Sequence, residues 1–218
     1  MRQVRITGKE TSLPLGKIVC VARNYAEHIR ELGNEVPERP VFFMKPASSV
    51  IGAGETIVIP VYSQDCQHEV ELAVLIGRTI KGIVAAEALS AVAGYGVAID
   101  LTLRDVQNEL KSKGLPWEMA KAFDTACPLS DFVAAATVRD PQNLSISLRV
   151  NGVVRQDAST ALMLRSVPEL IAAISALFTL EPGDIILTGT PAGVSRLHSG
   201  DRVVATISDV GSLTVTVA

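Results

Sequence analysis

The chain has 218 residues, 48% of them hydrophobic and 20% charged, amounts that suit one soluble domain with a substantial core. A net charge of -3 and an aromatic content of 4% give neither the basic footprint nor the stacking surface of a nucleic-acid binder. Apolar stretches break at Gly, Pro or charge before reaching membrane-spanning length, and MRQVRITGKE lacks the apolar core of a secretory signal. Cys20, Cys66 and Cys127 match no zinc spacing, so a reduced, cytoplasmic setting without membrane contact is expected.

In chain order, a short N-terminal segment, 1–16, precedes a single domain over 17–218, with no repeat or long linker. Asn24, with Glu27 three residues on, marks the start of a short helix. Apolar runs bounded by Gly, Pro, Asn or Asp predict strands at Val41–Met44, Thr56–Ile59, Val70–Ile76 and Tyr95–Leu101. Thr102 and Asp105 open a second helix running to about Lys113, with Gly114 as its stop. Leu144–Val150 leads into Asn151-Gly152, a two-residue hairpin signal. Ser166 and Glu169 form a capping box for a helix to Phe178, whose Val167, Leu170, Ile171, Ile174 and Phe178 recur at helical spacing. Asp184–Thr188, Arg202–Ile207 and Leu213–Val217 complete a β-rich chain with few helices.

HEVELAVLIG, residues 68–77, places two carboxylates in an apolar run. Side chains at i and i+2 of a strand share a face, so Glu69 and Glu71 project together while His68, Val70 and Leu72 take the other face. Two such charges repel unless a cation lies between them, and Mg²⁺, Mn²⁺ or Ca²⁺ would satisfy hard oxygen ligands. The alternative is an edge strand with one solvated face. Asp100, where the next strand emerges, offers a third oxygen or simply caps a turn. Arg104 and Gln107 share a helix face, and so do His28 and Glu31, a pair that suits a general base or an ordinary surface contact. The Thr188–Gly193 loop offers N–H groups and a hydroxyl to an anion, or serves as a tight turn. Lys121 is either a carboxylate anchor or a snorkelling lysine.

Taken in order, RNYAEH, FFMKP, HEVELAVLIG, DLTLRDVQ, LPWEMAKAFDTACPLS and GDIILTGTPAGV resemble the fumarylacetoacetate hydrolase family, and its short acylpyruvate hydrolase or oxaloacetate decarboxylase branch. The resemblance spans Lys17 to Ala218 and implies a β-rich α+β fold, a mixed β-sandwich roll with flanking helices, assembled as a homodimer. It implies Mg²⁺ or Mn²⁺ on Glu69, Glu71 and Asp100, a water-activating pair in His28 and Glu31, and a catalytic Lys121. It also implies substrate contacts from Arg23, Lys45, Gln107 and Thr190. The implied reaction is metal-dependent cleavage of acylpyruvates to pyruvate and a carboxylic acid, with oxaloacetate decarboxylation through the same enolate. Alternatives are an isomerase or decarboxylase of homoprotocatechuate-pathway diacids, an oxaloacetate tautomerase, or a binding module without catalysis. Many relatives follow the TGTPAGV segment with Gly-Pro; here Val194–His198 stand instead, a change expected at the pocket rim.

Overall fold

The computed structural model describes residues 2–10 and 12–218. Val70–Ile76 is a strand with all seven residues buried, flanked by Val92–Ile99 on one side and Ile185–Leu187 on the other, both antiparallel to it. Ile18–Ala22 then pairs parallel to Ile185–Leu187, Val41–Lys45 pairs antiparallel to Ile18–Ala22, and Val133–Ala134 closes the opposite edge. This mixed six-stranded sheet packs against a five-stranded one in the order Val153–Ser159, Ser145–Val150, Arg202–Ile207, Gly211–Val217 and Thr56–Ile57.

Strand periodicity explains the layering. Val70, Leu72, Val74 and Ile76 face the large core between the sheets, beside Ile146, Leu148, Val203 and Val215. Ala73 and Leu75 face a smaller core with Ile18, Cys20, Ile185, Leu187 and Phe132. The hairpin of Gln3–Arg5 and Ser12–Pro14 covers that second core through Val4, Ile6 and Leu15. Both faces of the central strand are therefore dry, which removes the solvated-edge reading of the strand that follows Glu69.

The Asn151-Gly152 turn forms as expected, with φ of 52° and 80° in the left-handed region that a two-residue hairpin demands. The helix Val167–Leu177 starts at the expected box, where the Glu169 carboxylate accepts from both the N–H and the hydroxyl of Ser166, each at 2.7 Å. Two helix starts differ from expectation. Thr102 does not cap; it joins the two-residue strand Thr102–Leu103 against Cys66–His68, and the helix runs Arg104–Ser112. Asn24 does not cap Ala26–Glu31 either. Its amide donates to the carbonyls of Thr188 and Arg165 and accepts from the N–H of Arg165, so it clamps two distant loops together. Asn24 thus finds tertiary partners in place of its own helix end, while Thr102 is drawn into strand pairing through its backbone.

Candidate active site

The register of two central strands builds the acidic cluster. Glu71 stands opposite Ala98 and Val70 opposite Ile99, so Glu69 meets Asp100 one step on, where the Asp100 N–H donates to the Glu69 carbonyl at 2.7 Å. The common pleat sends all three carboxylates to one face, and a ligand oxygen from each lies within 4.8 Å of the others. All three residues are buried.

Cations from distant segments answer this charge. The Lys121 ammonium donates to Glu69 Oε2 at 2.9 Å and to Asp100 Oδ2 at 2.8 Å, and Arg104 pairs with Glu69 Oε1. Burial pushes the Glu69 carboxyl up, but Lys121 and Arg104 outweigh it and hold the group well below the ordinary range. Glu71 goes the other way: burial, then the charges of Asp100 and Glu69, push it well up. Its one close donor among the described residues is the Gly189 N–H, 2.6 Å from Oε2. That approach requires glycine, because residue 189 has φ of +93° and a Cβ there would lie 2.8 Å from Asn24 Cβ. Burial alone would depress Lys121, yet Asp100 and Glu69 raise it above its ordinary value, so it stays a cation.

The cluster fits a hard divalent ion. Three carboxylate ligands converge, and Asp100 Oδ1 is a buried acceptor without a hydrogen bond although Lys45 Nζ lies 2.8 Å away, off the donor direction. Glu71 likewise lacks an ion-pair partner among the described residues. Glu69, Glu71 and Asp100 are thus the residues that could hold the metal, as expected.

A cleft opens over the cluster, and Arg23, His28, Gln107, Lys121 and Thr190 line it with the three carboxylates. His28 Nδ1 lies 3.3 Å from Glu31 Oε2; since a carboxylate only accepts, Nδ1 carries the proton and Nε2 keeps its lone pair. Burial pushes the imidazole below its usual value, against the pull of Glu69 and Glu31, so it is neutral at pH 7. Glu31 sits behind His28, its other oxygen accepting the Gly193 N–H at 3.0 Å. Gln107 is held by Arg104 Nη1, 2.8 Å from its Oε1, which leaves its NH₂ for the cleft. Arg23 adopts φ of +62°, a strained backbone for a non-glycine residue, and donates to Asn34 Oδ1 at 2.9 Å.

Lys45 is placed differently from the expected substrate contact. It is 1% exposed and does not line the cleft; its ammonium donates to the carbonyls of Leu101, Lys121 and Ala126 beside Asp100. It ties the segments that bear Asp100 and Lys121. The Val194–His198 segment also stays off the cleft wall. Ser195–Arg196 pairs with Cys66–His68, and Ser195 Oγ lies 2.8 Å from His68 Nε2.

The residue that sequence reading missed is Gln156, fully buried on the outer strand of the second sheet. Its Oε1 accepts from the Val70 N–H at 3.1 Å, and its Nε2 donates to the Pro191 carbonyl and to Thr190 Oγ1, both at 2.8 Å. The two backbone partners fix which end of the amide is which. His68 Nδ1, 3.0 Å from Oε1, is therefore the donor, and its Nε2 accepts the Ser195 hydroxyl. Thr190, having accepted from Gln156, keeps its own hydroxyl proton for a cleft ligand. A glutamine in VVRQDAS carries no local signal of this role, since the strand is irregular there and Val154, two residues before it, is exposed.

A buried carboxylate triad under a histidine-lined cleft, on paired mixed sheets, defines a metal-dependent enzyme site rather than a structural ion site. Residues 17–218 match the Fumarylacetoacetate (FAA) hydrolase C-terminal family, and the chain belongs to that family. It is 51% identical to oxaloacetate tautomerase YcgM of Escherichia coli (strain K12), over 94% of this chain and 93% of that one. It is 44% identical to the mitochondrial oxaloacetate tautomerase FAHD1 of Homo sapiens, over 90% and 89% respectively. Fumarylpyruvate hydrolase from Pseudomonas aeruginosa, solved in complex with Mn²⁺ and pyruvate, superposes with a TM-score of 0.96 at 36% identity, covering 100% of this chain and 95% of that one.

Proposed function

We propose that this protein is a divalent-metal-dependent oxaloacetate keto–enol tautomerase. The observation that carries the reading is His28, a neutral imidazole with Nδ1 fixed on Glu31 and no protein partner on Nε2 among the described residues, in one cleft with the acidic triad. The two relatives named as tautomerases support it, at 51% and 44% identity over nearly the whole chain.

Glu69, Glu71 and Asp100 would hold a divalent ion, which when bound would supply Lewis-acid polarisation of a 2-oxo group. His28 Nε2 takes a proton from C3 of the keto acid and returns one to the 2-oxygen, while Glu31 steadies the imidazolium between the two transfers. Lys121 is no base, since its ammonium is committed to Glu69 and Asp100; it orients both carboxylates and adds positive charge where negative charge develops. Gln107 donates to a substrate oxygen, and the Thr190 hydroxyl donates to the substrate carboxylate. A cytoplasmic homodimer is part of the same proposal, checked for the assembly by light scattering.

The second reading is hydrolysis of acylpyruvates. The same His28–Glu31 pair favours it, because a base that serves C3 equally serves an attacking water, and the Pseudomonas aeruginosa neighbour bears the name of that activity. Purified protein loaded with Mg²⁺ or Mn²⁺ separates the two. Decay of enol-oxaloacetate absorbance well above the spontaneous rate, lost in His28→Ala with metal still bound, is the result expected. Pyruvate release from acetylpyruvate or fumarylpyruvate without such acceleration selects the hydrolase instead. Turnover of none of these by metal-loaded protein leaves only a binding module.

A further inference from the structure

The cleft carries more positive charge than its carboxylates match. Four cations line it against three carboxylates: Lys121 pairs with Glu69 and Asp100, Arg104 pairs with Glu69, and Arg23 and Lys111 remain. Arg23 and Lys111 line the same cleft and touch no carboxylate among the described residues. Arg23 meets only the neutral amide of Asn34. The Lys111 ammonium instead rests on the Trp117 ring, 5.2 Å from its centroid.

Lys111 reaches this position by helix geometry. Arg104, Gln107 and Lys111 stand at i, i+3 and i+7 of the helix Arg104–Ser112, hence on one face, and all three line the cleft. The aromatic wall orders the lysines along it: Lys121 lies over Phe43 at 4.8 Å, Phe43 packs on Trp117 at 6.0 Å, and Lys111 lies over Trp117. Lys121 marks the triad end and Lys111 the far end. An ordinary surface lysine swings into water. This one is half-buried, and burial followed by the repulsion of Arg104 and Arg23 pushes its ammonium down to about 8. Unneutralised cations gathered at the far end of an active-site cleft suit an anionic group brought by the ligand.

We infer that Lys111, together with Arg23, is a specificity-determining anchor for a second carboxylate, so that the site selects dianionic 2-oxo acids over monoanionic ones of equal length. The inference rests on the 2-oxo acid reading above. It names the distal group of the substrate and a residue outside the set expected from sequence.

Binding tests it without turnover. Mn²⁺-loaded protein is titrated calorimetrically with 2-oxoglutarate and with 2-oxovalerate, five-carbon acids that differ at the far end by carboxylate against methyl. Wild type is expected to prefer the dianion by about tenfold or more, the scale of one charge-assisted contact. Lys111→Gln should lose most of that preference, keep the affinity for 2-oxovalerate and keep the wild-type melting temperature; Lys111→Arg should retain the preference. Equal binding of the two acids by wild type, or an unchanged preference in Lys111→Gln, overturns the anchor alone. Binding of neither acid overturns the anchor and the 2-oxo acid reading together.

Discussion

Replacing Gln156 by Met, close in volume and without polar hydrogen-bonding groups, tests whether one buried amide holds the second sheet and the catalytic loop together. In the native fold this amide serves the Val70 N–H, the Pro191 carbonyl, Thr190 Oγ1 and His68 Nδ1. Thr190 can turn its hydroxyl to another partner. The Val70 N–H and Pro191 carbonyl belong to fixed backbone around a fully buried side chain, and each buried group left unsatisfied costs about 1–3 kcal/mol. His68 loses the acceptor that fixes its tautomer, so the expected loss is about 2–6 kcal/mol, a large part of the stability of about 5–15 kcal/mol typical of a domain. Urea unfolding at fixed protein concentration measures it as a lower midpoint with an unchanged slope. Gln156→Glu is the companion variant: its carboxylate still accepts from Val70 and His68 but faces the Pro191 carbonyl oxygen in a fully buried site, so it should lose at least as much as Met. A loss below about 1 kcal/mol in Gln156→Met would refute the reasoning, since it would mean the four groups find partners without the amide.

Asp100→Asn removes a ligand charge while keeping the shape, and Mn²⁺ binding followed by calorimetry should weaken by more than the roughly 10–100-fold typical of losing a supporting group. Lys45→Met leaves Asp100 short of a buried counter-charge and three carbonyls short of a donor; thermal unfolding should show a loss of about 3–5 kcal/mol. Tyr25→Phe removes a hydroxyl that is buried without a partner, so stability should hold or rise, and a fall above about 1 kcal/mol would reveal a hidden partner. Burial depresses His28, so the acid limb of kcat/KM should lie below pH 6.5, and Glu31→Gln should move it lower because Glu31 raises the imidazole. His28 and His68 are both depressed in the fold, so the unfolded chain binds protons the folded chain refuses; stability should fall as pH drops below 6.5.

Period-two patterning made the central strand legible: Val70–Ile76 lies where the apolar run predicts, and Glu69 and Glu71 share a face as i and i+2 must. Three-residue spacing did the same for His28 with Glu31 and for Arg104 with Gln107. Roles that depend on strand neighbours were not legible. That Glu69 meets Asp100 follows from register, which no local pattern records, and the charge partners of Glu69 stand 35 and 52 residues away. The resemblance placed Lys45 against the substrate because its motif adjoins the site; burial and three carbonyl acceptors make it a support for Asp100. Gln156 was hidden for the same reason, since all its partners lie 34 or more residues away.

Two carboxylates on one strand, two residues apart, end in opposite electrostatic states, and the difference comes from who can reach them. Lys121 and Arg104 approach from the side of the Arg104–Ser112 helix and the segment after it, where Glu69 and Asp100 are accessible to them. Glu71 lies one pleat further along the strand, toward Ala73 and Leu75 in the smaller core, and among the described residues only the Gly189 N–H donates to it. No lysine or arginine among the described residues pairs with it, and a compact ion entering by the cleft has no side chain to accommodate. Asp100 is as buried as Glu71 yet meets two lysines, so what sets Glu71 apart is its place on the strand, which leaves that carboxylate open to a divalent ion.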